Sequence, residues 1–152
     1  MYAQALDQLF AKLGDHAFMC LATSKDDCVT ARSVSVLVDH RKFYFQSDVR
    51  LRKCRQIEAN PNVALCWQNV QIIGACRAIG HPLLTENAPM MKLYRQHFAG
   101  SYEKYSALAD EMLFEIAPRS IQVWNYNGEK PYQEFFDLSN ESYRREDYAL
   151  DD

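Results

Sequence analysis

Glycine and proline are scarce in this chain, at five each in 152 residues. Neither G-x-G-x-x-G nor a P-loop pattern occurs, which excludes the glycine-rich loops that cradle nucleotide phosphates on backbone N–H groups. No C-x-x-C pair occurs, and the five cysteines (Cys20, Cys28, Cys54, Cys66, Cys76) are an odd number, so neither a disulfide framework nor a cysteine zinc site is expected. Cys20, Cys54, Cys66 and Cys76 fall in apolar patterns and read as reduced core thiols. His16, His40, His81 and His97 have no metal-ligand spacing, and no metal is expected. There is no serine elbow and no Cys-His arrangement. No window approaches the run of about eighteen apolar residues that a membrane helix needs. The opening "MYAQALDQLFAKLGDH" carries Asp7 and lacks the apolar core of a signal peptide. Excess positive charge is missing too: a net charge of −3 argues against a nucleic-acid binder and leaves room only for a local basic patch suited to a small anion. The expected location is a reducing cytoplasm.

What is present is an ordinary globular composition, with 48% hydrophobic and 24% charged residues, and a length suited to one domain over 1–152. Leu6, Leu9, Phe10 and Leu13 recur at helical spacing before Gly14. The period then changes to two. Residues 17–24 and 28–39 read as strands around a Lys25-Asp26-Asp27 turn, 41–47 follows a turn at Asp39-His40, and 62–67 and 70–81 flank Gln68-Asn69. Leu51, Cys54 and Ile57 mark a helix that Ser47 or Asp48 would cap, and a second is predicted from Thr85, its cap, to about Phe98. Residues 100–111 predict a short helix, and 112–126 a strand pair or one strand bulged at Pro118. The acidic tail, about 139–152, reads as flexible or packed on a partner. Five to seven short antiparallel strands with peripheral helices predict a mainly β fold, a small barrel.

The stretch "SDVRLRKCRQIEANP" places Arg50, Arg52, Lys53 and Arg55 at a predicted helix start. Cations there are disfavoured by roughly 0.3–1 kcal/mol each, because the helix N-terminus is itself positive. A charge run by itself reads as a solvated face. Arg32, however, shares strand parity with Val34, Val36 and Val38, and a charge on an apolar face needs a partner or an anion. A strand arginine, a strand ending at Ser47 and a cationic helix start together form an anion seat, with guanidinium and backbone N–H groups suited to phosphate.

The ordered string "RSVSVLV…KFYFQSDVRLRKCRQIEANPNVALCW" resembles the pyridoxamine 5′-phosphate oxidase-like family, the FMN-binding split β-barrel. The likeness continues more loosely through "VQIIGACRAIG" and "IAPRSIQVW", over about two-thirds of the chain. It implies a homodimer with FMN in clefts between subunits. By position, Arg32, Ser47, Arg52 and Lys53 would hold the phosphate and ribityl oxygens. Ser33, Val34 and Gln46 would lie beside the flavin, Gln71 would approach its ring, and Trp124 would reach it from the partner. The true oxidase has a lysine where Leu37 stands and an Arg-x-His-x-Arg segment absent from "NGEKPYQEFFDL", so pyridoxamine phosphate is not the expected substrate. The implied function is a flavoprotein oxidoreductase that takes hydride or electrons from NAD(P)H or a small organic donor, with its catalytic residues unassigned. The alternative is a non-catalytic module holding FMN, haem or another anionic cofactor as carrier, sensor or scavenger.

Overall fold

Asp26 and Asp27 both adopt left-handed backbone angles (φ 50° and 62°), and so do His40 and Arg41 (φ 49° and 59°). Two successive positive φ values are what a two-residue hairpin turn requires if its twist is to match the flanking strands. In the computed structural model, which describes residues 1–149, these turns join β1 (His16–Lys25) to β2 (Cys28–Asp39) and β2 to β3 (Lys42–Asp48). A third hairpin joins β4 (Asn62–Trp67) to β5 (Val70–Ala78). The chain then continues through β6 (Glu111–Asn127), β7 (Lys130–Asp137) and β8 (Ser142–Asp147). All pairings are antiparallel, in the order β3-β2-β1-β4-β5-β6-β7-β8, and a further β3–β6 pairing closes the first six strands into a barrel.

Strand β6 is one bulged strand, one of the two forms its sequence allowed. Its first half pairs with β3 and its second half with β7, while β5 lies along its other side. The change of partner falls at Pro118, which has no N–H to donate. There the register slips, so that Ile73 faces Ser120 and Gly74 faces Pro118. Gly74 is required by close approach, since a Cβ at that position would lie 2.5 Å from the carbonyl oxygen of Ala117.

Eight strands among the described residues exceed the five to seven expected, and part of the excess lies in the tail. Six residues of the stretch read as flexible form β8, an edge strand exposed along much of its length, which is why its composition is polar. Arg144 and Arg145 lie over the rings of Phe135 and Tyr132, 4.0 and 3.7 Å from the centroids. Residues 150–152 of that tail lie outside the described residues.

Helix α1 (Tyr2–Leu13) buries Leu6, Leu9 and Leu13 and ends at Gly14 (φ 75°), on the face and at the stop its spacing predicted. Helix α2 (Arg52–Ala59) covers one end of the barrel with Cys54 and Ile57, which join the main core. Leu51 stays outside as N-cap residue with no side-chain cap bond, so neither Ser47 nor Asp48 caps this helix. Asp48 instead accepts the Arg50 backbone N–H at 2.9 Å, shaping the turn ahead of it. A 3-10 turn (Thr85–Asn87) precedes α3 (Ala88–His97), displacing the expected start at Thr85 to a helix opened by Pro89. With α4 (Ala99–Tyr105), α3 forms a second core against the outside of the barrel, where Met91, Tyr94 and Phe98 meet Leu37, Tyr44 and Leu113.

Candidate functional site

Strands β2 and β3 pair only at Leu37–Tyr44, Val38–Phe43 and Asp39–Lys42. Beyond these three rungs the strands part and the barrel splits. One lip is the β2 segment that carries Arg32, Ser33 and Val34. The other is the end of β3, with Gln46 and Ser47, whose far side pairs with β6. Helix α2 begins just past that lip. Seven of the nine residues expected to bind a cofactor therefore lie on the two parted strand segments or at the start of α2: Arg32, Ser33, Val34, Gln46, Ser47, Arg52 and Lys53.

Arg32 points toward the α2-covered end of the barrel, as its parity with the valines implied. Its guanidinium donates to the Leu21 carbonyl at 3.1 Å, to the Thr23 hydroxyl at 2.8 Å and to the Thr30 hydroxyl. Thr23 and Thr30 in turn both donate to Gln56 Oε1 at 2.6 Å, and Gln56 Nε2 donates to the Cys28 carbonyl at 3.2 Å. This polar network fixes the guanidinium through its two terminal nitrogens and leaves some of its five N–H groups free. Sequence reasoning missed it. The signal was available in the Asp26-Asp27 turn, whose register makes Thr23 and Thr30 direct partners and places Leu21 opposite Arg32.

Burial pushes Arg32 below its usual value, and the nearby Arg52 charge adds to that. Burial also lowers Lys53, and Arg32 pushes it down further, with Glu111 and Asp48 acting the other way. Among the described residues Arg32, Arg52 and Lys53 make no ion pair with a carboxylate, and Glu58 does not supply one. Arg50 behaves differently. It is paired with Asp48 at 2.7 Å, which holds the Asp48 carboxyl down at about 2. Three mutually repelling cations without a carboxylate partner at a helix N-terminus suit an anion with several oxygens.

The opposite lip carries a second polar group without a partner. Gln46 Oε1 accepts from the Ser106 hydroxyl at 2.8 Å, but Gln46 Nε2 is buried with no hydrogen-bond partner. Ser47 is buried beside Cys54, whose thiol donates to the Asp48 carbonyl at 3.2 Å. Burial pushes the Cys54 thiol up, so it is a core group and not an activated nucleophile. Cys76 is pushed up to about 12 by burial as well. A cavity of about 450 Å³ lies on another flank of α2, between Cys54, Ile57, Cys76, Met112 and Phe114, and the three cations do not line it.

The two remaining expected residues lie on the outer face of the sheet. Successive pairings run Ser33–Cys20–Cys66–Gln71–Gln122, one transverse row over five strands. Gln71 and Ser33 are exposed on it. Cys20 and Cys66, expected in the core, are exposed here as well, because their parity on β1 and β4 is opposite to that of the buried Leu21 and Leu65. Trp124 is partly buried further along β6, edge-on to Tyr126 and Tyr148 at 6.1 and 5.6 Å. Within one copy of the chain, Gln71 lies on β5 and Trp124 in the half of β6 that pairs with β7, so neither is on a strand segment that lines the split.

The family model described as pyridoxamine 5′-phosphate oxidase matches residues 5–125. The chain belongs to that family. Three solved structures place this member of the pyridoxamine 5′-phosphate oxidase family beside known barrels. General Stress Protein 26 from Bacillus anthracis is 17% identical, with a TM-score of 0.62, 91% of this chain covered and 100% of that one. A pyridoxamine 5′-phosphate oxidase-related, FMN-binding protein from Nostoc punctiforme is 16% identical, with a TM-score of 0.61 and coverage of 88% and 87%. The haem storage protein HutZ from Vibrio cholerae is 14% identical, with a TM-score of 0.61 and coverage of 78% and 91%. At these identities the likeness is one of fold. No curated protein matches the chain. Leu37, at the position where the resemblance led to a comparison with lysine, is buried against α3.

Proposed function

We propose that the chain binds FMN in the split between β2 and β3 and works as a flavoprotein oxidoreductase. The observation that carries this reading is the cluster of Arg32, Arg52 and Lys53, which has no carboxylate partner and borders a lip whose Gln46 amide lacks an acceptor. The residues fit the group. Arg52, Lys53, the free N–H groups of Arg32 and the first backbone N–H groups of α2 would hold the phosphate, with the Ser47 hydroxyl beside them. Gln46 Nε2 would donate to a carbonyl or ribityl oxygen, and Ser33 and Val34 would line the opposite lip. FMN, when bound, supplies hydride and electron transfer. The donor class we favour is NAD(P)H or a small organic reductant.

Gln71 and Trp124 enter this site only from a second copy of the chain, so the proposal includes a homodimer. The outer sheet face supports it. Phe18 and Ile73 are 69% and 37% exposed there among small residues, Ala31 and Ala64 included, a surface without charge at its centre. No helix among the described residues is long and apolar enough to cross a membrane. The five free thiols agree with a reducing cytoplasmic location. The absorption spectrum of the purified protein tests the cofactor: flavin bands are expected, and a Soret band would replace FMN with haem. Anaerobic NADH or NADPH should bleach those bands and an acceptor restore them. A flavin that stays oxidised with both would make the chain a binding module without turnover.

A further inference from the structure

His16 and His97 are remote in sequence, yet their rings stack at a centroid distance of 4.0 Å and 12° between planes. Asp15 joins them, with Oδ1 at 2.7 Å from His16 Nδ1 and Oδ2 at 3.4 Å from His97 Nε2. The group lies at the corner where α1 turns into β1 and meets the end of α3. Its backbone is fixed, since Gly14 (φ 75°) makes the turn and the Asp15 carbonyl accepts the Val38 N–H at 2.9 Å. The Phe98 ring stands edge-on to His16 at 5.7 Å and closes one side.

We propose that Asp15, His16 and His97 form a binding site for one divalent transition-metal ion, of the zinc, cobalt or nickel type, with water completing the coordination. Potential ligand atoms of the three residues all lie within 4.8 Å of one another. Ligands placed about 2.0–2.1 Å from a tetrahedral ion stand roughly 3.3 Å apart, close to the 2.7 and 3.4 Å that separate the Asp15 oxygens from one nitrogen of each histidine. A shared ion needs the ring planes to converge. The exposed His16 ring can turn about its broad χ2 torsion, while the more buried His97 stays. Two imidazoles and one carboxylate suit zinc and its transition-metal neighbours better than calcium or magnesium, which prefer all-oxygen shells. Exposure of Asp15 and His16 leaves the remaining positions open to water. The site is separate from the proposed flavin seat, and its success or failure is independent of FMN.

Cobalt(II) titration of the full-length chain at neutral pH, followed by visible absorption and calorimetry, tests this. We expect one ion per chain, displaced by zinc and by acid, with no thiolate charge-transfer band. His16→Ala and Asp15→Asn should each weaken binding by more than roughly tenfold. Both residues are exposed, so the fold should survive, and circular dichroism checks that it does. A Cys20→Ser, Cys28→Ser, Cys66→Ser variant should bind cobalt like the parent. The proposal is overturned by absence of binding, by binding that survives both His16→Ala and His97→Gln, or by loss of binding in the cysteine variant.

Discussion

The Thr23 hydroxyl donates to Gln56 Oε1 across 2.6 Å, tying the last part of β1 to the helix that covers the barrel end. Because Thr30 donates to the same oxygen and both hydroxyls accept from Arg32, one glutamine organises the position of the arginine at the split. Gln56→Ala removes the acceptor of both threonines and leaves polar groups unsatisfied beneath α2. It should lower unfolding stability by about 1–3 kcal/mol, measured by urea denaturation. An unchanged midpoint would mean the network is replaceable by water.

Arg52 and Lys53 face no carboxylate partner, so their joint removal should relieve repulsion while weakening anion binding. Arg52→Ala with Lys53→Ala should reduce FMN affinity by at least about tenfold, since charge-assisted hydrogen bonds contribute roughly 1.5–3 kcal/mol each. Fluorescence titration of FMN onto the stripped protein measures this. Equal affinity in parent and variant would move the phosphate elsewhere.

The same cluster predicts a salt-specific effect. Inorganic phosphate should raise the melting temperature of the flavin-free chain more than chloride at matched ionic strength, because a ligand that binds only the native state stabilises it. The double variant should lose that difference. A phosphate effect of equal size in the variant would argue for a general salt response.

At Glu115, burial pushes the carboxyl up, but bonds from Arg77 at 3.0 Å and Tyr44 at 3.1 Å, with the Lys42 charge, outweigh it and leave the group below its usual 4.5. A depressed carboxylate stabilises the fold fully above its unfolded value, and that contribution is lost as pH falls through the folded one. Stability should therefore fall with acidification below about pH 4.5 more steeply in the parent than in Glu115→Gln. Denaturant midpoints across the acid range decide this, and parallel slopes would refute it.

Gly74→Ala would bring a methyl group to 2.5 Å from the Ala117 carbonyl oxygen at the point where β6 changes partners. Relief requires a backbone shift in a closed barrel, so a loss of about 1–3 kcal/mol is expected by thermal or chemical denaturation. A neutral result would show that the bulge at Pro118 is soft.

Much of this protein was legible as local pattern. Helical spacing of Leu6, Leu9 and Leu13, valine alternation through Val34, Val36 and Val38, and acidic turn residues at Asp26-Asp27 each act over a few residues, and each produced the expected element. The cations of "SDVRLRKCRQIEANP" also stand where they were expected, at the start of α2. Pairing is different, because it joins residues remote in the chain. Composition alone could not reveal β8, whose residues hydrogen-bond as an edge strand while staying wet. The outward parity of Cys20 and Cys66 follows from which face α2 and the core cover. The meeting of His16 with His97 depends on how α3 folds back onto the β1 corner, and the split depends on where β2 and β3 stop pairing. Short-range periodicity and turn chemistry thus determined the elements and the place of the charges. Closure of the sheet decided which of those charges share one cleft, because only long-range pairing sets distances between strands.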